Sequence, residues 1–155
     1  MRISTLLPLF FLSLLFWSCS DDTKSSTLQL NPFPNKSYEK IIAFKMNGDN
    51  LNVINDQNKL SNGVVGEGVV LTKDQETKLL AIYRSEESYG SDFYRCFEPH
   101  LGFVFYDENE QIVAHSTVCF LCNWMRTSPD IGGNIFSRKG AQELVELEGD
   151  IFDVL

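Results

Sequence analysis

The sequence predicts an α+β domain, an antiparallel sheet with a central hairpin over about 102–120 and two helices, about 73–84 and 138–148, packed on one side. Three observations carry that expectation. Thr72-Lys-Asp-Gln75 is a capping box, with Thr at the N-cap and Gln at N3, ahead of a helical apolar pattern. Gly102–Tyr106 and Gln111–Phe120 are β-leaning runs around the turn Asp107-Glu-Asn-Glu110, and both faces are apolar, as in strands covered on two sides. Ser137 stands before Ala141, Leu144 and Val145 at i, i+3, i+4, with Gly149 as the stop.

The remaining elements follow in order. Ile41–Met46 reads as a strand, and Asn47-Gly48 after it is a type I′ hairpin signal, which makes Leu51–Ile54 the return strand. Asp56–Asn58 is a further turn. Val64-Val65 and Val69–Leu71 are a strand or loop broken by glycine. The first helix runs to about Arg84 and buries Leu79, Leu80, Ile82 and Tyr83. Residues 85–93 and 123–136 read as loops. The folded part, 38–155, is long enough for one core and not two. No internal repeat is visible.

Composition narrows the function. Of 155 residues, 43% are hydrophobic and 22% charged, the profile of a globular chain. The formal charge of −8 repels phosphate backbones, so nucleic-acid partners are excluded. Two histidines are too few for a multi-metal enzyme, and the phosphate-loop, dinucleotide, zinc-protease and nucleophile-elbow motifs are missing. No carboxylate pair is placed for acid–base work. Glu86-Glu87, Asp107-Glu108 and Glu110 lack calcium-loop spacing and read as solvated charge. The expectation is a non-enzymatic protein.

The N-terminus reads as an address. Arg2 precedes an apolar run, Leu6–Trp17, shorter than the roughly 20 residues of a comfortable membrane span. Ser18-Cys19 closes that run and resembles the lipobox of bacterial lipoproteins, while Phe16 and Trp17 depart from its usual residues. In that family the cysteine becomes residue one and is acylated at sulfur and nitrogen. The resemblance implies a signal peptide over 1–18, lipidated Cys19 and a charge of 12 − 21 = −9 for the cut chain. Two or three acyl chains anchor firmly where one does not. Ser20 after the cysteine favours the outer membrane in the enterobacterial pattern, and Ser20-Asp21-Asp22 is similar to a surface-export tag. Residues 19–37, polar and holding Pro32 and Pro34, read as a flexible tether. The partner that follows is a membrane, with a protein or small molecule beyond it unspecified.

The concentrated chemistry is Cys96-x₃-His100 and His115-x₃-Cys119-Phe-Leu-Cys122. If Tyr106 opposes Gln111, His100 lies opposite Thr117 and His115 opposite Gly102, and Cys96 falls beside Cys119 or Cys122. Three readings stay open. A disulfide from Cys96 to Cys119 or Cys122 suits an exported chain and leaves one thiol free. A Cys119–Cys122 bridge needs the chain to turn there. Zinc held by Cys96, His100, Cys119 and Cys122, with His115 as a substitute ligand, uses every thiol. Redox work by Cys119-x-x-Cys122 is the third, although Pro129 and Gly132-Gly133 and the lack of a βαβ pattern set it apart from thioredoxin. Trp124 reads as a core or rim aromatic.

The block Cys96-Phe-Glu-Pro-His100, Phe103-Val-Phe-Tyr-Asp107, Cys119-Phe-Leu-Cys122, after the helix start Leu71-Thr-Lys-Asp-Gln75, resembles small exported bacterial proteins and lipoproteins of unknown function. The resemblance spans roughly 70–147 and implies no reaction. The expected identity is a small acidic envelope lipoprotein with a binding or interaction role, periplasmic or surface-exposed and without cofactor. The alternative is a zinc-binding or thiol-redox protein built on the cluster.

Overall fold

A computed structural model describes residues 28–153; the expected signal peptide, Cys19 and the start of the tether lie outside them. Five strands form one antiparallel sheet: β1 (Lys40–Met46), β2 (Val64–Val70), β3 (Leu101–Tyr106), β4 (Ile112–Cys119) and β5 (Trp124–Ser128). Their order is β2-β1-β3-β4-β5, which puts β3 in the middle. Helices α1 (Lys73–Arg84) and α2 (Arg138–Phe152) cover one face, as an α+β fold requires. No helix among the described residues is long and apolar enough to cross a membrane.

Side chains alternate across the sheet, and the two faces build two cores. Ile41, Ala43, Leu101, Phe103, Phe105, Ala114 and Val118 meet Leu79, Ile82 and Tyr83 of α1 and Leu144, Leu147 and Ile151 of α2. On the reverse face, Phe44, Met46 and Val104 pack against Val53 and Ile54 from the connection 47–63. Both sides of β3 are therefore dry, and its apolar run has no polar alternate.

The capping box of α1 is present in both directions: Gln75 N donates to Thr72 Oγ1, and Thr72 N donates to Gln75 Oε1. Leu79, Ile82 and Tyr83 are buried, and Leu80 is half-buried. Ser137 caps α2 by accepting from Gly140 N. The expected end at Gly149 is corrected, since the helix continues to Phe152. Its buried stripe is Gly140, Leu144, Leu147 and Ile151, while Val145 points to solvent. Burying Ile151 outweighs the roughly 1 kcal/mol that a glycine costs inside a helix.

Four further expectations are corrected. Asn47-Gly48 does turn the chain, with Gly48 at φ +86°, but Leu51–Ile54 is not a return strand. Both flanks of β1 belong to β2 and β3, so residues 47–63 instead fold across the reverse face. Val53 N donates to the Thr117 hydroxyl, and a Cβ on Gly102 would lie 2.5 Å from a Val53 methyl, so this cover needs glycine beneath it. Residues 123–136 are not all loop, because 124–128 form edge strand β5 with Met125 buried among the helix-side core. The β3–β4 register is displaced by two residues, with Gly102 opposite Thr117 and Val104 opposite His115: the turn is one residue longer, pairing Tyr106 with Ile112, and a bulge at Phe105/Tyr106 adds the second. A two-residue slip keeps every side chain on its own face.

The last correction concerns the tether. Its described part, 28–37, is domain: Phe33 is 1% exposed, Leu28 and Leu30 pack on the core, and Asn31 N donates to Ile131 O. Burying one large aromatic side chain outweighs the polar character of its neighbours.

Candidate functional site: a three-cysteine cluster

The β4–β5 connection turns within four residues, and Asn123 at φ +55° completes it. Asparagine tolerates that left-handed conformation better than most side chains. The Asn123 amide also donates to the carbonyls of Asp92 (2.7 Å) and Phe136 (2.6 Å), tying the turn to two distant segments. This turn brings the Cys119 and Cys122 Cα atoms to 5.3 Å, within disulfide range, where an extended strand would hold them apart.

Cys96 arrives from the segment before β3. Tyr94 N donates to Cys122 O, and His100 N donates to Val118 O, so residues 94–100 run along the end of β4. Cys96 and Cys122 are at disulfide distance, with Cα atoms 5.6 Å apart. All three sulfurs lie within 4.8 Å of one another. Cys119 and Cys122 are fully buried, whereas Cys96 is half-buried at the rim. Two backbone N–H groups donate to Cys119 Sγ, those of Glu98 (3.3 Å) and Cys122 (3.2 Å). Such donors act in favour of the thiolate, and the burial of Cys119 acts against it.

Neither histidine joins the cluster. The His100 ring sits beside Gly48, where a Cβ would be 3.5 Å from Nε2. His115 stands opposite Val104 and Ser128 within the sheet, its Nδ1 buried without a partner among the described residues. Burial pulls its pKa below the ordinary histidine value, favouring the neutral ring. The expected Cys₃His ligand set is therefore reduced to its three thiols. The physical reason is that His100 enters the β3–β4 ladder, which carries its side chain toward residue 48 instead of the turn at 120–123.

An aromatic and cationic wall flanks the sulfurs. Phe97 meets Trp124 edge-on at 5.6 Å, and the Arg126 guanidinium lies 3.6 Å from the Phe97 ring centre. Arg126 also donates to Asn50 Oδ1, and burial lowers its pKa without discharging it. Sequence reasoning passed over Phe97, Asn123 and Arg126. The signals available were the period-two pattern of Trp124-Met-Arg126 and an asparagine directly after the CxxC.

The fold and the cluster together define a small α+β protein with one three-thiol centre at the end of its sheet. No protein-family model matches the chain, and no curated protein or solved structure matches it either.

Proposed function

We propose that this chain is a small acidic lipoprotein of a bacterial envelope, anchored through Cys19 at the outer membrane, whose domain acts by binding rather than by catalysis. The observation that carries the reading is the Cys96–Cys122 pair at disulfide distance. Disulfides persist in oxidising compartments, which an exported protein reaches and a cytosolic one does not. The apolar run Leu6–Trp17 closed by Ser18-Cys19 supports the same destination. Phe93, Tyr94 and Leu121, large side chains left in solvent near the turn at 120–123, support a binding role for that end of the domain.

Detergent phase separation of the full-length protein tests the anchor. The parent should enter the detergent phase, and Cys19→Ala should remain in the aqueous phase. Equal partitioning of the two would remove the lipoprotein reading.

A second reading rests on the convergence of three sulfurs with two N–H donors on one of them. Cys96, Cys119 and Cys122 would hold a thiophilic divalent metal such as zinc as thiolates, with a fourth position supplied from outside the set. About one zinc per chain after purification without reductant or added metal would favour it over the disulfide.

A further inference from the structure

Cys122 stands where either of two partners can reach it. Its Cα lies 5.6 Å from that of Cys96 and 5.3 Å from that of Cys119, and both separations suit a disulfide. One sulfur enters one disulfide, so the oxidised cluster holds one bridge and one thiol. The two arrangements differ in which thiol is left over. With Cys96–Cys122 bridged it is Cys119, fully buried. With Cys119–Cys122 bridged it is Cys96, half-buried at the rim.

We propose that the cluster is an internal disulfide-exchange centre, in which the bridge passes between Cys96–Cys122 and Cys119–Cys122 and the leftover thiol moves between the interior and the surface. The Cys119 thiolate attacks the Cys122 sulfur. A Cys119–Cys122 bond forms, the Cys96–Cys122 bond breaks, and Cys96 leaves as a thiolate that takes up the proton Cys119 gave. No oxidant or reductant is consumed. Thiol–disulfide exchange of this kind requires a thiolate within reach of a bridged sulfur. The N–H donors of Glu98 and Cys122 offset part of the cost of a thiolate at buried Cys119, and the 4.8 Å envelope of the three sulfurs puts the bridged sulfur within reach. The turn at 120–123 is held by Asn123 through the Asp92 and Phe136 carbonyls, which lie outside the cluster.

The consequence is a latent surface thiol. In the second arrangement Cys96 can form a mixed disulfide with a partner that carries a disulfide, releasing the partner's other half as a thiol. In the first arrangement the only thiol of the cluster is out of reach.

This proposal deepens the envelope reading, since it needs the cluster oxidised. The test is a maleimide reaction on the native full-length protein, purified without reductant, followed by acid quenching and a non-reducing peptide map. Cys19 is read separately in that map. Label should accumulate at Cys96 toward one per chain, with the bridge trapped as Cys119–Cys122, and unlabelled protein should show both pairings. The labelling rate should rise about tenfold for each pH unit below the attacking thiol's pKa. Cys119→Ser should keep the Cys96–Cys122 bridge and lose the Cys96 label, while Cys96→Ser should show only Cys119–Cys122. A single pairing with no Cys96 label on the native parent overturns the exchange and leaves the oxidised-compartment reading standing. Three labelled cysteines with no bridge, or one bound metal per chain, overturn both.

Discussion

The ring of Phe33 meets the ring of Phe105 edge-on, with 5.3 Å between centroids, and meets Tyr83 in the same way at 5.7 Å. Phe33 is thus a strut between the chain ahead of β1, the central strand and α1. Phe33→Ala should destabilise the domain by about 3–5 kcal/mol, the range for emptying an aromatic site in a packed core. Urea unfolding monitored by circular dichroism reads the loss. A chain starting at Tyr38 should lose at least as much, and a parent-like midpoint for that shorter chain would show that Phe33 carries no load.

Alkaline pH should unfold the protein through its buried phenols. Tyr83 OH lies 2.7 Å from Ser116 Oγ with both groups buried, and Tyr89 OH donates to Tyr83 O at 2.8 Å. Desolvation is the main cause that raises both tyrosine pKa values above the ordinary value of about 10. The unfolded chain then gives up these protons first. Their contribution is fully present below about pH 10 and is lost as pH rises above it. Melting temperatures should be level from pH 7 to 9 and fall beyond. Tyr83→Phe should soften that fall and cost about 1 kcal/mol at neutral pH, because Ser116 loses its partner. An absorbance titration in which all folded-state tyrosines ionise near pH 10 would contradict this.

Gly140→Ala should destabilise, against helix propensity. Alanine gains about 1 kcal/mol over glycine inside a helix. At this position, however, a Cβ would lie 2.2 Å from the Ser88 carbonyl oxygen, a backbone atom that cannot swing away. Ser137 N donates to that same carbonyl, so the α2 start and the short 3-10 turn Glu86–Ser88 would have to separate. Forced overpacking costs typically 1–3 kcal/mol, so the net effect should be a loss of up to about 2 kcal/mol. A raised melting temperature would refute the close packing.

Reductant and chelator should act differently. Cys96 and Cys122 are 26 residues apart, and closing such a loop stabilises by about 3.5 kcal/mol in the chain-entropy model. Reduction should therefore lower the melting temperature by roughly 10 °C or more in a domain of this size. A chelator should leave it unchanged. The reverse pattern, with the chelator destabilising, would promote the metal reading, because metal binding would then supply folding free energy.

What the sequence determined by itself was everything governed by local rules. Thr72 and Gln75 marked the α1 start because a capping box is a three-residue interaction. The β3–β4 hairpin was legible because its turn is short, residues 107–111, and neither face of β3 alternates with polar residues. Cys96 could be placed beside the 119–122 turn because hairpin pairing carries distance along the chain, and a two-residue slip does not change the face.

Only the tertiary structure decided what depended on partners far away in the chain. Asn47-Gly48 has the local signature of a tight hairpin, but the second strand of that pair is Val64–Val70, since residues 47–63 are needed to cover the reverse face. Residues 28–37 looked like tether because their apolar members are spaced irregularly, and burial of Phe33 depends on a hollow between Tyr83 and Phe105 that no local pattern records. Gly149 did not stop α2, because Ile151 had a core to enter. His100 and the cysteines share a short motif, yet the ladder that takes up His100 separates its ring from the sulfurs. Ligand types can be read from spacing, whereas convergence depends on which side of a strand each side chain leaves.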